Sequence, residues 1–475
     1  MDEKLIRRAF HFLCLGTLLI VFAEATHIPA YPKMLEHFNL GAGHAVWMQL
    51  GFALGLTGFQ PLMGWLADYF GQKKVILLGA ALMAFGSCLV ALAPAFWVMV
   101  LGLFFKGVSG AAVVPIGVTY AGKYFNDEQR GKALGLFGFY SVVGAILGPV
   151  LSGIFVDNLG WSSNFWVCAL FGLLAVVLFL IGVPNTKGEK SISFDFLGVL
   201  FVFLILGSLL TIPTFINNYG FSSWMWLPSF IVFVLAFLFL IVIEKRQKEP
   251  LLDINYATTR HFWVPSVIAI LMFVTFSSVL FLLTFFIQNV QGKSSTMVGL
   301  LELPLFLTMA IANLLSGRLM SKFSARSMIG SSIVLLVAGV GMLTLANKDT
   351  SFLYLFVSMS LIGMAIGMVG PVIRNVIVSK ADPSRLGVIT FTYITIENVA
   401  SRVGASFAIV MFALFAAGGN SVGALSTTAL ILAVFSAISF IFLVLIPKRV
   451  EGIQGVNRAL QTHKETNLEE VDTIS

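Results

Sequence analysis

The sequence predicts an all-α integral membrane protein, and three observations carry that prediction. Of its 475 residues, 58% are hydrophobic and only 11% charged, with a mean hydropathy of +0.96. Soluble domains hold roughly twice that share of charge. Fourteen apolar runs, each near the roughly 20 residues that span a bilayer, divide the chain at about 10–32, 45–66, 75–94, 96–121, 132–156, 164–184, 196–216, 225–243, 263–289, 297–319, 327–346, 352–379, 386–417 and 424–446. Lysine and arginine then collect on one side. With the N-terminus inside, 23 of the 29 fall in inner segments; Lys33, Lys293 and Lys348 fall in outer loops, and Lys106, Arg374 and Arg402 within spans. This asymmetry predicts an even number of spans with both termini cytoplasmic. It assigns the net charge of +7 to anionic inner-leaflet lipid, not to nucleic acid.

The first span is not read as a cleavable signal, because it carries Glu24, Pro29 and Pro32 and no small-residue cleavage site follows a short apolar core. Glu24 and His27 are three apart, on one face of a continuous helix. A proton relay through both is one reading; an interfacial His27 is the other. A carboxyl group taken out of water holds its proton more tightly and a nearby cation loosens it, so such a group can couple proton movement to conformation.

After the second span comes Gly64-Trp65-Leu66-Ala67-Asp68-Tyr69-Phe70-Gly71-Gln72-Lys73-Lys74, whose small residues predict closely approaching helix ends. It resembles the signature loop of the major facilitator superfamily, G-x-L-x-D-x-x-G-x-K/R-K/R. The resemblance implies a secondary transporter built as two six-helix bundles, with this loop acting in gating. The loop after the fourth span, around Arg130-Gly131-Lys132, resembles the family's loop there, and Gly317-Arg318-Leu319-Met320-Ser321-Lys322 is a weaker echo of the first motif. Repeats of this kind suit two bundles related by an axis along the membrane normal.

The fourth span places Lys106 roughly ten residues, or about 15 Å, from either end, where the family's R-x-x-x-G-x-x-A motif has arginine. A charge at that depth normally faces a polar interior with a partner; a snorkelling lysine is the alternative. The fifth span, with Gly144, Gly148, Pro149, Ser152 and Gly153, resembles the antiporter motif G-x-x-x-G-P-x-x-G-G, with Ser152 in place of a glycine. Glycines four apart allow close helix approach and Pro149 removes a backbone hydrogen bond. A tight crossing and an export motif are both consistent with that pattern.

The seventh and eighth spans are the two in excess of twelve. Glu244-Lys245-Arg246 through Pro250-Leu251-Leu252-Asp253 follows them and resembles the fourteen-helix drug:proton antiporter branch, which includes multidrug and tetracycline exporters. The expected organisation is an N-terminal bundle over 1–188, two inserted helices and a connector over 189–260, a C-terminal bundle over 261–446 and a cytoplasmic tail over 447–475. In the tenth span Glu302 precedes Pro304, and either a helix N-terminal carboxylate at the interface or a proton site fits. Arg374 lies toward the inner end of the twelfth span, where snorkelling is expected. In the thirteenth, Glu397, Asn398, Arg402 and Gly404 resemble the branch's N-x-x-R-x-x-G pattern. Glu397 and Arg402 are about 140° apart around a helix, so each needs a partner on another element.

The three cysteines, Cys14, Cys88 and Cys168, fall inside apolar runs and read as buried small hydrophobes. No metal-ligand spacing, nucleophile elbow or phosphate-binding loop is present. The expectation is therefore no enzyme, no cofactor and no nucleotide-driven pump. The 45 phenylalanines and 17 methionines suit a cavity that binds bulky amphipathic, often cationic molecules by area and shape. The predicted function is proton-coupled export of hydrophobic, drug-like compounds across the plasma membrane by a chain that works as a monomer. An endogenous metabolite, lipid or siderophore is the alternative cargo, and a non-transporting receptor the alternative class.

Overall fold

A computed structural model describes residues 3–125, 127–185, 196–219, 223–246, 254–320, 322–381, 386–416 and 421–446. Among them every regular element is helical, because a backbone in hydrocarbon must satisfy its own hydrogen bonds. The chain forms α1 (Glu3–Ala25, continued by His27–His37), α2 (Ala45–Ala53, a π-turn at Leu54–Gly58, then Phe59–Phe70), α3 (Gln72–Ala91), α4 (Phe96–Tyr124), α5 (Asp127–Leu159) and α6 (Trp161–Gly182). Next come α7 (Phe196–Tyr219), α8 (Leu227–Arg246), α9 (Arg260–Phe285 with a π-turn at Phe286–Val290) and α10 (Ser295–Leu319). The last four are α11 (Ala325–Thr344), α12 (Phe352–Val378), α13 (Leu386–Ala416) and α14 (Ser421–Ala437 and Ser439–Leu443).

These fourteen rods coincide with the fourteen predicted runs. Among the described residues, twelve helices are by themselves long and apolar enough to cross a bilayer. The other two are α2, divided at mid-length by its π-turn, and α7, whose apolar stretch is the shorter Leu200–Leu209. Several helices, α1 and α5 among them, run past their apolar limits.

Helices α1–α6 pack on one another as one bundle and α9–α14 as another, while α7 lies against α2 and α13, and α8 lies mainly on α7. Only 11% of the apolar window of α8 is buried, which makes it the outermost helix, with Phe237, Leu238 and Phe239 facing outward. Within the bundles, helices meet through missing side chains. A Cβ on Gly86 would lie 2.6 Å from the Gly102 carbonyl oxygen, and one on Gly102 would lie 2.7 Å from that of Gly86. Small residues let backbones approach where dispersion, not hydrophobic burial, drives association.

Three local features shape the centre. Pro29 has no N–H for the Ala25 carbonyl and its ring crowds that group, so α1 stops at Ala25 and resumes at His27. The π-turn of α2 sits at the same level of the chain's N-terminal bundle, beside α4; such turns are frequent at functional sites. Gly71 turns the chain from α2 into α3 with φ of 98°, a conformation open to glycine at little cost.

Candidate functional site

The break in α1 positions the site. Its buried Thr26 carbonyl is held by Ser152 Oγ of α5 at 2.6 Å and by Asn164 Nδ2 of α6 at 3.1 Å. Ser152, the departure from the antiporter pattern, therefore ties α5 to the broken helix. Gly144 and Gly148 pack on α1 at Leu18, Phe22 and Ala25. These contacts fix the last turn of the first α1 segment, which carries Glu24.

The Glu24 carboxylate occupies space that exists because residue 110 is glycine: a Cβ there would lie 1.9 Å from Oε1. Glu24 is half-buried, and Oε1 has no hydrogen-bond partner. Lys106, one turn before Gly110 on α4, is fully buried. Its Nζ stands 4.5 Å over the Phe165 ring and beside the Cys168 thiol. That thiol is a weak acceptor and is already engaged by Thr26 Oγ1 at 3.2 Å. The snorkelling reading of Lys106 thus gives way to a buried amine on an aromatic face. Arg402 reaches across from α13, its guanidinium 5.3 Å from the centre of the Phe52 ring on α2. Gly110, against the Glu24 carboxylate, is one turn from Lys106, and Gly107 lies against the carbonyl of the same Phe52 that Arg402 covers. Glu24, Lys106 and Arg402 are thereby gathered from three helices and both bundles.

His27 is placed differently from its expected role. The helix break puts it in the second segment, where Nδ1–H donates to the Glu24 carbonyl oxygen. Its ring lies against Phe52, centroids 4.2 Å apart, and near Tyr31. Neither His27 Nε2 nor Glu24 Oε1 has a hydrogen-bond partner, so no direct bond joins the two side chains; the shared face was reckoned on an unbroken helix.

Two further corrections concern the C-terminal bundle. Arg374 does not simply snorkel: it forms an ion pair with Glu397, with Nη2 3.1 and 3.2 Å from the two carboxylate oxygens. Glu397 is therefore neutralised by α12, as its lack of a partner on α13 required. Glu302 is 3% exposed and its Oε1 has no partner, which removes the interfacial reading. Gly404 lets α13 meet α9, where a Cβ would lie 2.1 Å from the Val274 carbonyl oxygen.

In the Gly64–Lys74 loop Gly64 is exposed with nothing within 4 Å of a Cβ, so the expected close approach is not made there. Lys73 Nζ donates to the Leu180 carbonyl at the end of α6, 2.9 Å away. Lys74 follows it on α3, and the side chains of Asp68 and Arg130 lie outside the described residues.

The bundles close on each other at the face remote from the N-terminus. A Cβ at Gly153 would lie 2.5 Å from the Ser295 carbonyl oxygen, and one at Gly299 2.4 Å from that of Pro149. Asp157, at the end of α5, accepts from the backbone N–H groups of Ser295 at 2.8 Å and Thr296 at 2.6 Å, and from Thr296 Oγ1. Gln288 Nε2 of α9 donates to the Pro29 carbonyl at 2.9 Å, and Tyr31 lies on Phe281. Below this layer sit Glu24 and Arg402. Sequence reading missed Asp157, although an acidic residue ending α5 and a Ser-Ser-Thr run opening α10 were both visible.

Two helical bundles closed at one face, with ionisable groups between them, define a multi-pass membrane carrier. A family model described as Major Facilitator Superfamily matches residues 13–243 and 195–405, and the chain belongs to that family, in its multidrug-exporter-like branch. It is 26% identical over 383 residues to the multidrug transporter protein MdtP of Bacillus subtilis, covering 80% of this chain and 70% of that one. It is 25% identical over 409 residues to the methylenomycin A resistance protein of the same organism, covering 85% and 87%. A solved bacterial homolog of the human lysosomal transporter Spinster, titled inward-facing and occupied, superposes with a TM-score of 0.68 at 14% identity, over 94% of this chain and 97% of that one; this likeness concerns the fold.

Proposed function

We propose that the protein is a proton-coupled antiporter that exports hydrophobic, drug-like compounds across the plasma membrane by alternating access, with both termini cytoplasmic. The observation that carries this reading is Glu24: a half-buried carboxylate without a hydrogen-bond partner, packed against the turn of α4 that also carries Lys106. Its protonation changes the net charge between the bundles, which is what a coupling device must do. Glu302, buried and unpartnered, is the second candidate. Glu397 ranks lower because Arg374 already holds it. The Asp157 and Gly153/Gly299 contacts that close the far face support a state in which that side is shut. The Gly64–Lys74 loop, with Asp68, Gly71, Lys73 and Lys74, and Arg130 after α4 are assigned to gating, and the Gly144–Gly153 motif to the bundle interface. Relatives named for multidrug transport and antibiotic resistance support the cargo class.

The test is transport in inverted vesicles under an imposed pH gradient. Glu24→Gln should abolish gradient-driven transport while cargo binding persists, and Glu24→Asp should keep partial activity with an altered pH optimum. Full proton-linked transport by Glu24→Gln, with loss in Glu397→Gln, would move the coupling site to α13.

A further inference from the structure

The π-turn of α2 has helix on both sides, Ala45–Ala53 before it and Phe59–Phe70 after it, whereas the other π-turn, Phe286–Val290, ends α9 and leads into a loop. A π-turn holds one residue more than the α-turn it replaces. If Leu54–Gly58 relaxed to α-helix, the half before it would turn by about 100° and move by about 1.5 Å against the half after it. Such a shift would be felt first at Phe52. Its buried ring faces the His27 ring of α1, centroids 4.2 Å apart, and the Arg402 guanidinium of α13, 5.3 Å from its centre. Leu50 and Ala53 of the same half pack with Val403 of α13. The first half of α2 thus ties the two bundles together, and its register decides which side chains make the tie.

Contacts with two helices hold the turn in this form. Gly55 lies on the Phe104 carbonyl of α4, and Gly107 of α4 lies on the Phe52 carbonyl, so the turn and α4 meet backbone to backbone. Gly58 is filled from the inserted helix α7: the Phe203 ring takes the place of its missing side chain, and the ring of Phe59 lies 5.8 Å from that of Phe203. We infer that Leu54–Gly58 is a register switch latched by Phe203 of α7. With the far face closed, the latch holds Phe52 between His27 and Arg402; when the far face opens, the turn relaxes to α-helix and carries Phe52 off both. Relaxation gains regular helical hydrogen bonds and gives up the packing of Phe203 at Gly58. Opposed terms of this kind make a packed element two-state, where it would otherwise deform gradually. Phe203 is therefore a positioning residue, acting on the bundle tie through the turn. The switch rests on the alternating-access reading of the chain and not on Glu24 as its coupling group, although Leu56 of the turn shares the notch at Gly110 with that carboxylate.

The experiment uses the full chain in nanodiscs, with 4-fluorophenylalanine at position 52 read by fluorine NMR and, in separate samples, spin labels at His37 and Lys348 across the far face. Arg402→Gln should move the main fluorine resonance, which marks the ring in its covered position. Phe203→Ala should raise a second resonance, and the open share of the label distances, each at least fivefold. Phe203→Leu still fills the notch at Gly58 and should stay within twofold of the native chain. Deleting Thr57 removes the extra residue without displacing either half, so that Phe52 can no longer turn. In that background the main resonance should persist, and Phe203→Ala should change neither readout. A single resonance in Phe203→Ala would overturn the switch, as would a chain lacking Thr57 that opens as the native chain does. If the deletion does not fold, the contrast between Phe203→Ala and Phe203→Leu still decides. Failure of the alternating-access reading has a separate signature: the second resonance rises in Phe203→Ala while the label distances stay fixed, which sinks that reading and leaves the register shift standing.

Discussion

Replacing Asp157 by alanine removes the three hydrogen bonds that join the end of α5 to the start of α10, two from backbone N–H groups and one from Thr296 Oγ1. Hydrogen bonds to a charged group contribute about 1.5–3 kcal/mol each when enclosed. Asp157 is exposed, and solvent reduces such contributions to about 0.2–1 kcal/mol. The group also favours the positive end of α10. A net loss of about 1–2 kcal/mol follows for the closed far face relative to the open one, because the first N–H groups of α10 regain water as partners when α5 withdraws. Since 1.4 kcal/mol is a factor of ten, the closed-to-open ratio should fall roughly five- to thirtyfold. The assay is a distance distribution between spin labels at His37 and Lys348, both exposed on the far face, in a background lacking Cys14, Cys88 and Cys168. Asp157→Asn, which keeps an acceptor oxygen but not the charge, should fall between. A change in ratio below twofold in Asp157→Ala would refute the reasoning and leave closure to the Gly153 and Gly299 backbone contacts.

Gly110→Val should displace the Glu24 carboxylate, because even a Cβ lies 1.9 Å from Oε1; gradient-driven transport should be lost while circular dichroism stays helical. Ser152→Ala removes one of the two donors to the Thr26 carbonyl, and with Asn164 still in place the cost should be about 1 kcal/mol. A thermal melt in detergent would show it as a drop of a few degrees, and Ser152→Ala with Asn164→Ala should cost more than the two single changes added. A cysteine placed at Asn218 should label from outside intact cells and one at Lys187 should not; the reverse would invert the topology.

Much of the architecture was legible because a bilayer imposes its thickness on the sequence. The fourteen apolar runs fit the described helices, twelve of them long and apolar enough to span, and the α5 glycines marked the surfaces that touch α1 and α10. Glu24 and Lys106 stood out because charge at depth is rare. What sequence concealed was partnership between elements remote in the chain. Glu397 needed a cation on another element, but nothing in one dimension picks Arg374 over Lys106, and the ring of Phe52 gives no sign that it carries a guanidinium. Gly64 was misread because small size permits an approach without requiring one. The error over His27 has a different origin. Pro29 was visible four residues beyond Ala25, yet the face shared by Glu24 and His27 was reckoned on an unbroken helix.

That interruption divides labour within α1. The segment Glu3–Ala25 is fastened to α5 and α6 through Ser152 and Asn164, whereas His27–His37 touches the opposite bundle through Pro29 and Tyr31. Opening the far face therefore asks the short outer piece to pivot about Thr26 while the turn bearing Glu24 keeps its neighbours. Substitutions in residues 28–37 should retune how readily the far face opens without touching Glu24, and changes around Glu24 should leave that closure in place. Two properties that a rigid rod would bind together can thus be inherited, and altered, one at a time.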